Sequence, residues 1–310
     1  MGRIAAIINH SHNRYYDDKV GFFGFFDVID DQSVAKSLVN KAQEILLSRG
    51  CKSMRGPYSP TVNDECGLLV DGFETPPMMM MPYNPAYYLP LYSICGLEKA
   101  RDLFAYYIPG STVMPERIEK IVARLKRNSG LSLRSIDLKN LDEELKIIQR
   151  LYNDTLNRNW GFVPITYEDL LFSSKELKEI ADPEMLLIAE KEGVAVGFAM
   201  LLPNINEFLL KARNLKGWRR LIKLIWMIKT KHPKEARLAL LGVEEKYRNS
   251  GIAAMFYYET LSKGRNKFVG GELSWIEESN QEMIRGIAGM GAKHYKSYRI
   301  YEKPIHGTIG

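Results

Sequence analysis

The chain has 310 residues, 45% hydrophobic and 26% charged, the composition of a folded globular protein and not of a disordered or fibrous one. No run of about 18 or more uncharged apolar residues occurs, and the candidate Leu221 to Ile228 is broken by Lys223, which excludes a membrane-spanning helix of about 20 residues. The formal charge of +6 is concentrated: Lys211 to Arg237 holds ten Lys or Arg and one acid, Glu235, which is +9 there and −3 elsewhere and implies an anionic partner such as a phosphorylated cofactor, lipid headgroups or nucleic acid.

The N-terminal stretch Met1 to Ile8 has no basic region and no long apolar segment before Asn9, so no signal peptide is read. Strands are expected over Ile4 to Ile8 and Val20 to Val28, with a polar turn from Asn9 to Lys19 between them. A helix follows with Ser33 as its N-cap and Val34, Leu38, Ala42, Ile45 and Leu46 on one face, stopped at Gly50. Cys51 to Arg55 reads as a short strand. Asn84-Pro85 reads as N-cap and first-turn proline of a helix ending near Gly96. Leu103 to Ile108 is a strand, Pro115 to Arg127 a basic helix, and Asn128-Ser129-Gly130 the best domain boundary. Beyond it come a strand (131–138), two amphipathic helices (141–156 and 167–180), and a hairpin turning at Glu192-Gly193. Residues 237–303 then read strand, glycine turn, helix, strand, helix, strand.

The halves align. Setting Gly24-Phe25-Phe26 against Gly242-Val243-Glu244 brings Ser33-Val34-Ala35 opposite Gly251-Ile252-Ala253, both at a helix start. Four extra residues in the first helix, about one turn, then match Ser48-Arg49-Gly50 to Ser262-Lys263-Gly264. Two copies of one α/β module are expected.

In the second copy the strand ending Leu241-Gly242-Val243 passes through Arg248-Asn249-Ser250-Gly251-Ile252-Ala253 into a helix. Such a turn aims free backbone amides and a helix dipole at one point, which suits a pyrophosphate, and glycine lets the phosphate approach the backbone. A plain strand-to-helix connection is the alternative.

These residues resemble the GNAT superfamily of acyl-coenzyme A-dependent N-acyltransferases, whose pyrophosphate loop Arg/Gln-x-x-Gly-x-Gly/Ala is matched by Arg248, Gly251 and Ala253. The order of elements over 131–303 is similar to that module, and the tandem layout looks like a bacterial two-module GNAT group of undefined substrate. The resemblance implies an α/β fold with a mixed sheet, built as a degenerate module over 1–110, a linker helix over 111–130 and an acyltransferase module over 131–310. The first copy lacks the module's opening helices and first strand. It carries Asp30, Ser33 and Ala35 where the second has Arg248, Gly251 and Ala253, and an aspartate there repels a phosphate.

The resemblance further implies acyl-CoA as co-substrate, acetyl by default, bound by Leu241, Val243, Arg248 to Ala253 and Asn280, with direct attack by an acceptor amine. For the base, the motif strand 237–243 offers no carboxylate, so Glu272 and Glu277 on the next strand are the candidates. Ile287 stands where the family places a tyrosine acid. Tyr295, Tyr298 and Tyr301 are alternatives, with packing as their plainer role.

Three cysteines, Cys51, Cys66 and Cys95, are too few and too scattered for a disulfide framework or a metal site, and a reducing, cytoplasmic setting is expected. His10-x-His12 lacks a third ligand, so no metal is expected. Met78 to Met81 reads as core filling, and Cys66 after Asp64-Glu65 as unreactive. The basic helix 218–229 fits either a cover over the substrate channel, packed between the modules, or a peripheral membrane contact; nucleic acid fits less well. The leading function is transfer of an acyl group to a small-molecule or peptide amine. The alternative is a non-catalytic CoA-binding or membrane-peripheral protein on the same scaffold.

Overall fold

The computed structural model describes residues 1–128 and 130–305, which leaves Ser129 of the expected boundary and residues 306–310 outside the described residues. The first half contains β1 (Gly2–Ile7), α1 (His10–Tyr16), β2 (Val20–Val28), α2 (Gln32–Ser48), β3 (Ser53–Gly56), the short β4 (Tyr58–Ser59), β5 (Glu65–Cys66) and β6 (Leu68–Asp71), then α3 (Tyr88–Ile94) and β7 (Glu98–Pro109). Helix α4 (Glu116–Asn128) leads to β8 (Leu131–Ser135), α5 (Leu141–Thr155), α6 (Tyr167–Leu177), β9 (Leu186–Lys191) and β10 (Val194–Pro203). A helical pair, α7 (Asn206–Lys211) and α8 (Gly217–Thr230), precedes β11 (Glu235–Val243), α9 (Ile252–Gly264), β12 (Gly270–Glu277), α10 (Gln281–Ala288) and β13 (Lys293–Pro304).

One mixed sheet runs through both halves in the order β1-β2-β3-β13-β7-β12-β11-β10-β9-β8, with β6 also paired to β13. The repeat is real in three dimensions. β2 and β3 pair in parallel across α2, as β11 and β12 do across α9, and α2 has 17 residues to the 13 of α9. The halves exchange their last strands. β7 lies antiparallel against β12, Pro109 opposite Gly270, while β13 lies antiparallel against β3, Pro304 opposite Ser53. β7 and β13 pair with each other at the centre. Strands from either side of the linker region 111–130 therefore alternate in one sheet.

Alternating side chains divide the core by faces. Phe23, Met54 and Tyr301 pack with α2 and α3, and Leu238, Leu273 and Tyr106 pack with α9. On the other face Phe22, Leu103, Ala105, Tyr298 and Ile300 pack under the segment 58–81, and Ile188 and Phe198 pack under α5.

Some local expectations change. Asn9 to Lys19 is no turn but contains α1, because Asn9 caps it by accepting from His12 N at 2.9 Å. His10 and His12 then point to different sides, as positions two apart on a helix do. His12 is buried with Nε2 3.4 Å from Asp18, and among the described residues no group of three metal-ligating side chains occurs. Asp31, not Ser33, caps α2. Asn84 caps nothing: it is buried and bonds the backbone of Leu69 in both directions, so α3 starts only at Tyr88. The strand expected to reach 138 stops at Ser135, since residues 138–140 coil into a 3-10 turn capped by Asp137.

The β7–β13 seam carries an ion network. Arg299 Nε and Nη2 donate to the two oxygens of buried Asp102 at 2.7 and 3.0 Å, and Lys99 bridges Asp102 and Glu278. Burial alone raises the Asp102 pKa, but Arg299 and Lys99 more than offset it, leaving the carboxyl below its ordinary value. Arg299→Met leaves that buried carboxylate to Lys99 alone and should cost about 1–3 kcal/mol, seen as a lower urea midpoint at unchanged slope. Burial also lowers the His12 pKa from 6.5, with Asp18 opposing it. A histidine that resists protonation when folded binds fewer protons than in the unfolded chain, so stability falls as pH drops below 6.5 towards the folded value. Thermal melts between pH 7.5 and 5.5 should slope down, and His12→Gln should flatten that slope.

Candidate active site

The site begins where two parallel strands part. β11 and β12 pair only from Glu235 and Gly270 to Leu238 and Leu273. Ala239 is then bulged out of the register with β10, a kink that turns a strand away from its neighbour, and Leu240 to Val243 follow β10 alone. On the other side the β12 register shifts between Leu273 and Ile276. A cleft opens between residues 239–243 and 274–277, with unpaired backbone along its β11 wall.

At the open end, residues 245–250 make a 3-10 turn and Gly251 takes φ +91°, a conformation glycine adopts without strain. α9 starts at Ile252 with no side-chain cap, so its first amides have no side-chain acceptor. Arg248 lies beside this turn, its Nη2 donating to the Thr155 carbonyl at 3.2 Å, while Asn249 is exposed and Ser250 bonds back to Tyr247. Ile252 is fully buried in the α9 core, Ala253 is half-buried, and Leu241 and Val243 pack in the same core. α4 covers the outer side: a Cβ at position 251 would come within 2.8 Å of Leu125 Cδ1 and 3.1 Å of Ile121 Cγ2. The residues fit an anion cradle, with free amides, a glycine and an arginine at one helix start.

At the paired end lies a buried polar cluster on the face away from α9. Arg237 and Glu272 are neighbours across the strands, with Nε 3.7 Å from the carboxylate. Arg237 Nε donates to Ser274 Oγ at 2.7 Å and Nη2 to the Ser274 carbonyl at 3.1 Å, while Nη1 donates to the Met79 carbonyl at 2.9 Å. Ser274 and Tyr295 each donate a hydroxyl to Glu272. Burial lowers the Arg237 pKa, with Glu272 opposing. Burial first, then Glu272, drives the Tyr295 phenol far above its ordinary value.

The other sequence candidates fall elsewhere. Glu277 is buried at the far end of β12, where Ser279 donates to it and Arg101 lies 3.7 Å away. Asn280 caps α10 by accepting from Met283 N. Ile287 is a core residue, and Tyr301 packs against Tyr92.

Three contributors are not evident in the sequence. β11 starts two residues earlier than expected, which brings Glu235 onto the motif strand; it accepts from Tyr107 at 2.9 Å, and burial raises its pKa. Tyr107 itself is pushed up to about 12, by burial and then by Glu235. The methionine segment fills core with Met78 and Met81, yet its backbone also holds Arg237. Cys66 is buried and raised to about 12, chiefly by burial, so its inertness owes more to its surroundings than to Asp64 and Glu65.

A model of the acetyltransferase (GNAT) family matches residues 146–289. A protein of Caulobacter vibrioides named bacterial ceramide synthase is 35% identical over 98% of this chain and 81% of its own length. Protein YghO of Escherichia coli is 33% identical over 98% of this chain and 79% of its own. Among solved structures, a GCN5-related N-acetyltransferase from Sphaerobacter thermophilus superposes with a TM-score of 0.56 at 14% identity, covering 99% of this chain and 77% of that one. A tandem GNAT protein from the clavulanic acid biosynthesis pathway gives 0.54 at 10% identity over 94% and 77%. These two establish likeness of fold alone. The chain belongs to the GNAT family of acyltransferases. Proteins of this fold generally use an acyl-CoA.

If the turn at 248–253 holds the coenzyme phosphates, Gly251→Ala should weaken acetyl-CoA binding at least tenfold in calorimetry, because the methyl group both opposes φ +91° and presses on Leu125. Unchanged affinity would put the cofactor elsewhere.

Proposed function

We propose that the protein is an acyl-CoA-dependent N-acyltransferase whose acceptor is the amine of a long-chain amino alcohol, giving a ceramide-type amide. The observation that carries this reading is the 35% identity, over nearly the whole chain, to a protein named for ceramide synthesis. A ceramide is an N-acylated long-chain amino alcohol, and making one is the chemistry expected of an N-acyltransferase.

Bound acyl-CoA supplies the acyl group as a thioester, with its pyrophosphate on the 248–253 turn. Forming the amide removes one proton from the amine, and releasing the thiol needs one at sulfur. Glu272 is the proposed acceptor of the first, since it lies one residue before the end of the paired region, at the root of the cleft. Tyr295 donates to Glu272 and has a pKa far too high to act alone as an acid. It passes its proton on only as Glu272 gains one, so the two form a relay. Glu277 and Asn280 have no part in it: one faces Arg101 and the other caps α10. Unpaired backbone amides of β11 beyond the bulge are the groups available to polarise the carbonyl.

The complete burial of Glu272 beside Arg237 favours a second reading, in which the pair only pins β11 to β12. One experiment separates them. Purified protein is incubated with sphinganine and acyl-CoAs from acetyl to palmitoyl, the amide is detected by mass spectrometry, and Glu272→Gln is run alongside. The variant should lose about 10²–10⁴ in kcat while binding acyl-CoA as the parent does. Parallel loss of melting temperature and acyl-CoA affinity would leave Glu272 a structural residue. Thiol release with small polar amines and none with sphinganine would sink the ceramide reading.

A further inference from the structure

Helix α8 carries apolar residues on two faces. Leu224, Met227 and Ile228 pack against Phe208 and Ala212 of the α7 region. Trp218, Leu221, Ile222, Ile225 and Trp226 follow the i, i+3, i+4, i+7, i+8 spacing of a second apolar face. That face points outward, its residues 46% to 68% exposed. The apolar side of this helix is thus not packed between the modules, as a cover over the substrate channel would be.

The cations around it have no carboxylate partners. From Lys211 to Lys234 there are nine Lys or Arg and no acid, and none of the nine enters an ion pair among the described residues. Elsewhere Arg134, Arg150, Lys267 and Arg299 all find carboxylates. Large aliphatic and indole side chains aimed at solvent and flanked by unneutralised Lys and Arg make up the surface of a helix that lies in a membrane interface. Nucleic acid would leave the aliphatic stripe in water, and a second copy of this chain would bring nine like charges against nine.

The position of the helix agrees with this. The α7–α8 pair leaves the sheet between Pro203 and Glu235, at the end of β11 opposite the Gly251 turn, roughly 27 Å away at the rise of a strand. An anionic bilayer there is kept apart from an anionic coenzyme. α7 also reaches the polar cluster: Asn206 donates to the carbonyls of Pro77 and Met78, one residue before the carbonyl that holds Arg237, and Glu207 accepts from the amides of Lys234 and Glu235.

We infer that the outward face of α8, with its surrounding lysines and arginines, seats the protein on an anionic lipid bilayer. No helix is long and apolar enough to cross the bilayer, so the contact is peripheral. The inference goes beyond the acyl-transfer reading, and its test needs no turnover. Full-length protein is floated with vesicles of pure phosphatidylcholine and with vesicles also containing phosphatidylglycerol, and Trp fluorescence is recorded. Wild type should bind the anionic vesicles with a blue shift, bind neutral ones weakly, and be released by salt. Two variants, Trp218→Ser with Ile222→Ser and Arg219→Glu with Arg220→Glu, should each bind at least about tenfold more weakly with unchanged melting temperature, since all four positions are exposed. Failure of wild type to bind anionic vesicles, or equal binding by both variants, would overturn the inference. So would a dimer by light scattering that the Trp218 variant abolishes while vesicle binding is absent. Loss of vesicle binding in both variants, with acyl transfer to a soluble amine intact, would support the inference and leave the acyl-transfer reading standing.

Discussion

Everything in this molecule hangs on the antiparallel pairing of β7 with β13. Each of these strands belongs by chain order to one half and lies beside the parallel pair of the other, so neither half has a closed sheet without its partner. The exchange brings residues far apart in the chain into one buried cluster: Tyr107 reaches Glu235, Tyr295 reaches Glu272, and the methionine segment of the first half holds Arg237 of the second. The first half thus supplies one side of that cluster.

The cluster shows how an ionised pair survives burial. Taking a guanidinium and a carboxylate out of water costs several kcal/mol per ion unless other hydrogen bonds complete them. Here both ions share Ser274, the carboxylate gains Tyr295, and the guanidinium gains backbone carbonyls. The same crowding keeps Tyr295 protonated and Cys66 unreactive. Stability and proton handling draw on one set of contacts here, so substitutions have to be read with binding and melting data side by side.

Much of the fold could be read locally. The β2 boundaries, the hairpin at Glu192-Gly193, the strand–turn–helix around Gly251 and the four-residue difference between α2 and α9 follow from alternation, helical spacing and glycine punctuation. What was hidden depends on distant partners. Nothing near Leu103 tells that its strand inserts between two strands from beyond residue 270, and nothing near Asn84 tells that Leu69 occupies its side chain. Of the candidate site, the glycine turn at 248–253 is a contiguous motif that can be read locally, whereas Glu235 joins the motif strand only because Gly270 pairs with it. For α8 the sequence displays an apolar face but not a second one already satisfied by Phe208 and Ala212, so only the structure shows which face is left over.

The strand exchange also bears on how the protein is made. While the chain emerges from the ribosome, β3 has β2 on one side and nothing on the other, because its second neighbour is residues 301–304. An open strand edge is a template for stray pairing, and this one stays open until residues 301–304 have been made. Closure of the central sheet therefore joins distant segments, a pairing of the kind that slows folding and exposes partly folded chains to aggregation. A chain without residues 293–304 lacks a strand from the middle of this sheet and not from its edge.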